Sequence, residues 1–221
     1  TIRLTATSRL SSFSLDFLLP VTSVEVNGEV ARHRSDGGHE LRVTPPQPLA
    51  SGARHRVVVR YAGVPGRHTY AGGHSWLSSR HEVITMNQPH MAPWWFPSND
   101  HPSDKATMDI AITVPRGKQA IANGRLVSRV DRARTTTWRW RADEPMAPYL
   151  AFFAAGEFRI ERGRDGDLPW LIAVSSRLGP STQRASLTLM RKTPRIVRTL
   201  EKDLGPYPFS TTGGVTTSLD P

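Results

Sequence analysis

Apolar and polar positions alternate in short runs along most of the chain. Ile2, Leu4 and Ala6 alternate in IRLTAT, and Val24 and Val26 lead into Asn27-Gly28. Both residues of that pair tolerate the positive φ of a two-residue hairpin turn. HELRVTPP ends on Pro45-Pro46, which cannot continue a ladder. Val57, Val59 and Tyr61 share one side of RHRVVVRYAG, and Met108, Ile110, Ile112 and Val114 share one face of TMDIAITVP. QAIANGRLVSRV reads as a hairpin around Asn123-Gly124. Trp138 and Trp140 alternate in TTTWRWRA, and YLAFFAAGEFRIER and LPWLIAVSS complete the series. Period-two runs with turn chemistry between them predict a mainly β fold, an antiparallel sandwich or saddle-like double sheet.

The pattern changes near Gly179. STQRASLTLMRK is compatible with a helix, and TPRIVRTLEKDLG predicts a second one. Thr193 is placed to cap it, and Pro194 falls at the first helical position, where a missing N–H costs nothing. Ile196, Val197, Leu200 and Leu204 form one apolar face, and Gly205 supplies the stop. A domain boundary near residue 178 therefore separates a β domain, 1–178, from the start of a second domain, 179–221. The final stretch, YPFSTTGGVTTSLDP, begins a new extended element, so the chain reads as truncated there.

Composition changes this picture little. Hydrophobic residues are 38% and charged residues 22%, which suits a folded domain. No apolar run approaches the roughly 20 residues that span a bilayer. Cysteine is absent, which excludes disulfides and cysteine-ligated metal within the chain. TIRLTAT already alternates like a strand, so the natural N-terminus is expected upstream, and a removed signal peptide is compatible with it. Secreted and cytoplasmic bacterial locations both fit, with secretion preferred. The net charge is +10, carried by 29 basic residues, of which 25 are arginine. They are scattered singly among strands without a basic block, so nucleic acid is not the expected partner.

The residues offer no complete catalytic set. HELRV and HEVIT each contain a His-Glu pair without a second His four residues on, and both fall in strand-like sequence. There, residues i and i+4 lie roughly 13 Å apart, too far to share a metal. Such pairs are expected on the solvated surface. AGGHS lacks the strand-turn-helix context of a nucleophile elbow, and TTGGVTT lacks the Gly-Lys-Ser/Thr of a phosphate loop. The polar stretch WWFPSNDHPSDK stands out. His90 and His101 flank or enter it beside Asp100, open to a metal or acid–base role or to simple loop structuring. Trp94 and Trp95 can stack sugars or bases, or pack the loop onto a sheet.

Taken together, TMNQPHMAPWWFPSNDHPSDKATMDIAITVP resembles the N-terminal domain of the aminopeptidase N family of gluzincin zinc metallopeptidases, in a compact bacterial branch. The family's T-Q-x-E/Q … F-P-x-x-D-x-P-x-x-K-A-T-F-x-I pattern is similar here at Thr85, Gln88, Phe96-Pro97, Asp100, Pro102, Lys105-Ala106-Thr107 and Ile110, with Val114-Pro115 closing the strand. AIANGRLV, MAPYLAFFAAGEF and DLGPYPF resemble three further family motifs, in the family's order across residues 85 to 209.

The resemblance implies a saddle-shaped β domain followed by the first helices of a truncated thermolysin-like domain. It implies zinc in the full-length parent and none held by this chain, whose catalytic and metal residues would all follow Pro221. Peptide substrates and the remainder of its own catalytic domain are the implied partners. Gln88 falls where relatives bind the substrate's free amino terminus. Met86 falls where they usually carry Gln, and its thioether cannot accept an ammonium hydrogen bond as an amide oxygen does. Asp100 and Lys105 are read as structural. Two other readings remain open: a stand-alone β-sandwich binding module for glycans or polyanions, and a catalytically dead homologue.

Overall fold

The computed structural model describes residues 1–36, 38–69 and 73–219, in two compact units. The first is Thr1–Trp76, Met86–Lys105 and Ala147–Leu150; the second is Leu77–Thr85, Ala106–Met146 and Ala151–Pro221.

The first unit is built on a six-stranded antiparallel sheet. Its strands are β1 (Ile2–Thr5), β2 (Phe13–Asp16), β3 (Val21–Val26), β4 (Glu29–Ser35), β5 (Glu40–Thr44) and β6 (Arg54–Tyr61). Their spatial order is β1-β6-β3-β4-β5-β2. One face is apolar because side chains alternate along each strand. Leu15, Val24, Val26, Leu41, Val43, Val57 and Val59 all point into one core with Phe17. The Asn27-Gly28 turn forms as read, with φ of 54° and 92°, and Val26 pairs with Glu29 across it. The Asn27 side chain accepts the Arg56 backbone N–H at 2.9 Å, which ties the turn to the neighbouring strand. The first half of β4 pairs with β3 and its second half with β5, so the sheet turns about this strand.

Apart from Trp76, the second unit holds β7 (Trp76–Ser78), β8 (Val83–Thr85), β9 (Ala106–Pro115), β10 (Gln119–Ala122), β11 (Arg125–Asp131), β12 (Thr135–Met146), β13 (Phe153–Gly156), β14 (Phe158–Asp165), β15 (Leu168–Ser175) and β16 (Thr212–Thr216). They form three sheets, ordered β10-β13-β8-β7, β11-β12-β9 and β14-β15-β16. Val114, Trp138 and Trp140 are buried on the apolar face of β9 and β12. Trp140 donates its indole N–H to the Ala120 carbonyl at 2.9 Å. β16 joins β15 in parallel, the one parallel pairing among the described residues. The helices are α1 (Pro180–Met190) and α2 (Thr193–Leu204), and Leu187 of α1 packs on Ile172 and Val174.

Two local readings need correction. Asn123-Gly124 does not close a hairpin: β10 pairs with β13, whereas β11 pairs with β12. Gly124 has φ +80°, and a Cβ there would stand 1.9 Å from the Arg141 carbonyl oxygen. The Asn123 side chain accepts the Phe152 N–H at 2.7 Å. Gly124 thus supplies positive φ for a crossing between sheets. Thr193 does not cap α2, because Lys192 before it is already helical and carries the first acceptor, bonded by the Ile196 N–H at 3.0 Å. Gly205 ends the helix at φ +84°, as its position predicts.

Candidate functional site

The polar loop 86–105 lies wholly in the first unit. The chain enters it from β8, whose last residue, Thr85, is buried and accepts the Phe153 N–H on its hydroxyl at 2.9 Å. Met86 follows, 43% exposed, with its backbone N–H on the Ser75 carbonyl at 2.7 Å. Asn87 is buried and Gln88 is exposed. This exposed–buried–exposed order presents the Met86 and Gln88 side chains to solvent and uses Asn87 as the inward anchor. Its carboxamide oxygen accepts the Trp95 indole N–H at 3.1 Å. The Gln88-Pro89 peptide is cis.

The two tryptophans are packing residues, not stacking platforms. Trp94, 2% exposed, closes a short 3₁₀ turn, Ala92–Trp94, and donates to the His68 carbonyl at 3.0 Å. Trp95 meets Phe96 edge-on with ring centroids 4.7 Å apart, and its carbonyl accepts the Tyr61 hydroxyl at 2.5 Å. Tyr61 in turn packs edge-on against Phe17, which roots the loop in the sheet core. Asp16 and Ser98 exchange backbone hydrogen bonds of 2.7 and 3.3 Å, which fixes the far side of the loop to β2.

Asp100 sits beneath this loop. Both of its carboxylate oxygens are shut off from solvent without a well-formed hydrogen bond, while its backbone N–H donates to Asp16 at 2.7 Å. Burial pushes its pKa up to about 6. The Asp16 charge adds to the shift, while the Ala92 amide and His90 and His39 oppose it. His101 is held locally, its Nδ1 2.7 Å from the Ser103 hydroxyl. Lys105 is exposed. No group of three or more His, Asp or Glu among the described residues is arranged to hold a metal ion.

The second unit contains a polar site that the sequence reading misplaced. Glu82 of HEVIT, assigned to the solvated surface, is 1% exposed. Its carboxylate accepts the Ser175 hydroxyl, the Thr217 hydroxyl at 2.9 Å, and both the backbone N–H and the hydroxyl of Ser218 at 3.0 Å. Burial alone would raise its pKa, but these donors outweigh burial and hold it below the usual carboxylate value. Nothing next to Glu82 in sequence announces this, because every partner arrives from far along the chain. Part of the AGGHS stretch, Ala71 and Gly72, lies outside the described residues.

The model of the Peptidase M1 N-terminal domain matches residues 22–150, more than half of the chain. The chain belongs to the M1 peptidase family. Solved structures agree with this M1 assignment. The chain is similar to an M1 zinc metallopeptidase from Deinococcus radiodurans, with 25% identity and a TM-score of 0.85 over 99% of this chain and 51% of that one. A mutant of the Deinococcus enzyme bound to a Tyr-Ser-Ala substrate aligns over the same shares at 25% identity and a TM-score of 0.88. A two-domain M1 zinc metallopeptidase mutant bound to L-tryptophan aligns at 26% identity and a TM-score of 0.83, over 99% of this chain and 52% of that one. The M1 chain thus spans about half the length of the solved relatives it matches. A comparison with curated protein sequences returned no match.

Proposed function

We propose that the chain is the substrate-side, N-terminal part of a zinc-dependent aminopeptidase that removes N-terminal residues from peptides. In this reading Gln88 accepts a hydrogen bond from the substrate's ammonium, and Met86 lines the pocket for its first side chain. The observation that carries it is the Met86-Asn87-Gln88 segment: two side chains are presented outward by a buried, hydrogen-bonded Asn87, inside the stretch that matches the M1 family. A relative bound to a Tyr-Ser-Ala substrate supports a peptide as the ligand class.

Rigid presentation is what the loop contributes. Pro97 and Pro102 fix φ, Trp94 and Trp95 are bonded on both sides, and a pre-set acceptor loses little entropy when a peptide amine arrives. The described residues do not fit a zinc ion, so no step is assigned to metal on this chain. The zinc ligands belong, in this proposal, to sequence beyond Pro221, and α1 and α2 open the thermolysin-like part after a boundary near residue 178.

The test compares two proteins, residues 1–221 and the longer product of its coding region, on aminoacyl reporter substrates. Chelator-sensitive hydrolysis by the longer protein and none by residues 1–221 is the expected result. Chelator-sensitive hydrolysis by residues 1–221 alone, or none by either, would overturn the proposal.

A further inference from the structure

The six-stranded sheet of the first unit has a core face and a free face, and the free face carries an unusual arginine pattern. Strand register sets Arg3 directly opposite Arg56, and Arg34 directly opposite Arg42. All four are exposed. None of them is salt-bridged among the described residues; Arg42 donates only to the Ser12 hydroxyl, at 3.1 Å. Arg54 and Arg32 extend the two groups along β6 and β4. Like charges placed directly across a ladder destabilise a sheet. A carboxylate at either member of each pair would relieve the repulsion, yet the Glu25 carboxylate on this face is already engaged by Arg60.

Among the described residues this face carries no aromatic ring on which a base could stack, so it lacks the platform that single-stranded nucleic acid requires. Between the two arginine groups lies Val30, 78% exposed, opposite Glu25 on the same face. Guanidinium forks bind phosphate bidentately. A bare aliphatic side chain between them suits an interface in which headgroups meet hydrocarbon, and it adds nothing to the grip of a nucleic acid.

We propose that this sheet face is a docking surface for an anionic phospholipid bilayer, with Arg3/Arg56 and Arg34/Arg42 as two phosphate clamps and Val30 between them. Lipid phosphates take the place of the missing carboxylates, and the cross-strand repulsion becomes attraction only when the surface is engaged. The proposal does not depend on the peptidase reading.

The test is co-sedimentation of the protein with vesicles of equal parts phosphatidylglycerol and phosphatidylcholine, against vesicles of phosphatidylcholine alone. Binding to the anionic vesicles only, weakening with salt, is expected. The double variant Arg34→Glu, Arg56→Glu converts both like-charge pairs into opposite-charge pairs. It should melt no lower than the parent and lose about 30-fold in vesicle affinity, from about fivefold per arginine at a membrane surface. A control, Arg162→Glu with Arg184→Glu, removes the same net charge from exposed sites elsewhere and should change affinity by less than about threefold. No binding to anionic vesicles, equal losses in both double variants, or displacement of vesicles by duplex DNA would overturn the proposal. Were the first variant to unfold, the single changes Arg34→Gln and Arg56→Gln replace it, and unchanged vesicle binding by both would equally overturn it.

Discussion

The backbone N–H of Asp100 donates to a carboxylate oxygen of Asp16 at 2.7 Å, which brings two carboxyl groups together under a loop that leaves one of them without solvent. The Asp100 pKa is raised to about 6 from 3.8, with burial the main cause. The native state therefore holds the proton more tightly than the unfolded chain. Its stabilising contribution is complete below about pH 4 and is lost as pH rises through about 6. Asp100→Asn should remove this loss and raise stability at pH 7.5 by about 1–3 kcal/mol, with little change at pH 4. Urea denaturation of both proteins at the two pH values checks it. An equal effect at both would contradict the assignment.

Glu82 should behave in the opposite sense. Its depressed pKa means that its contribution is present above about pH 4.3 and fades as pH falls through the native value. Glu82→Ala leaves the Ser175 and Thr217 hydroxyls and two Ser218 donors without their shared acceptor, at a cost of about 2–4 kcal/mol. Glu82→Gln retains the shape but turns an amide N–H toward donors, and should cost about half as much. Chemical denaturation at pH 7 distinguishes them; a Gln variant as stable as the parent would point to shape alone.

Asp109 offers a surface comparison. It accepts from Arg139 through both oxygens, at 2.7 and 2.6 Å, and from Arg141 at 3.1 Å, and these guanidinium bonds lower its pKa to about 2. The pairing favours the fold above about pH 4 and is lost as pH falls toward 2. Solvent screening limits its worth, so Asp109→Asn should cost no more than about 1 kcal/mol at pH 7 in low salt, and less in high salt. A loss independent of salt would be unexpected.

The substrate reading is tested in the longer protein by a split between two substrates. Gln88→Ala should lower kcat/KM about 10- to 100-fold for peptides with a free amino terminus, the worth of one hydrogen bond to a charged group. N-acylated peptides, which lack the ammonium, should be unaffected. Met86→Gln should strengthen capture of free amines. Equal effects of Gln88→Ala on both substrate types would reduce Gln88 to a loop amide.

Much of the fold was legible because alternation needs only neighbours. The strands around Val24, Val57, Ile110 and Trp138 appear where period-two runs put them, and Asn27-Gly28 closes the hairpin that its φ preference demands. What was lost is pairing. Asn123-Gly124 signals positive φ equally well, but turn chemistry does not say which strand comes next, and the residue beside it belongs to another sheet. Gly124→Ala would test that reading: a clash 1.9 Å from the Arg141 carbonyl should destabilise by more than the roughly 1–2 kcal/mol of positive φ alone. The loop's aromatic anchors were readable from the WWFP stretch itself, whereas Gln88 as a substrate residue comes from the family likeness alone. Glu82 and the facing arginines were not, since both depend on strand register.

The Glu82 carboxylate also sets a timetable. Its partners lie 93, 135 and 136 residues further along the chain. On a ribosome the segment that carries it emerges long before Thr217 and Ser218, and until they arrive its charge stays in water, outside the packed interior. The segment from His81 to Thr85 is thus bound to close late. Chaperone capture of a nascent chain halted before Ser175 should exceed capture of one halted after Ser218.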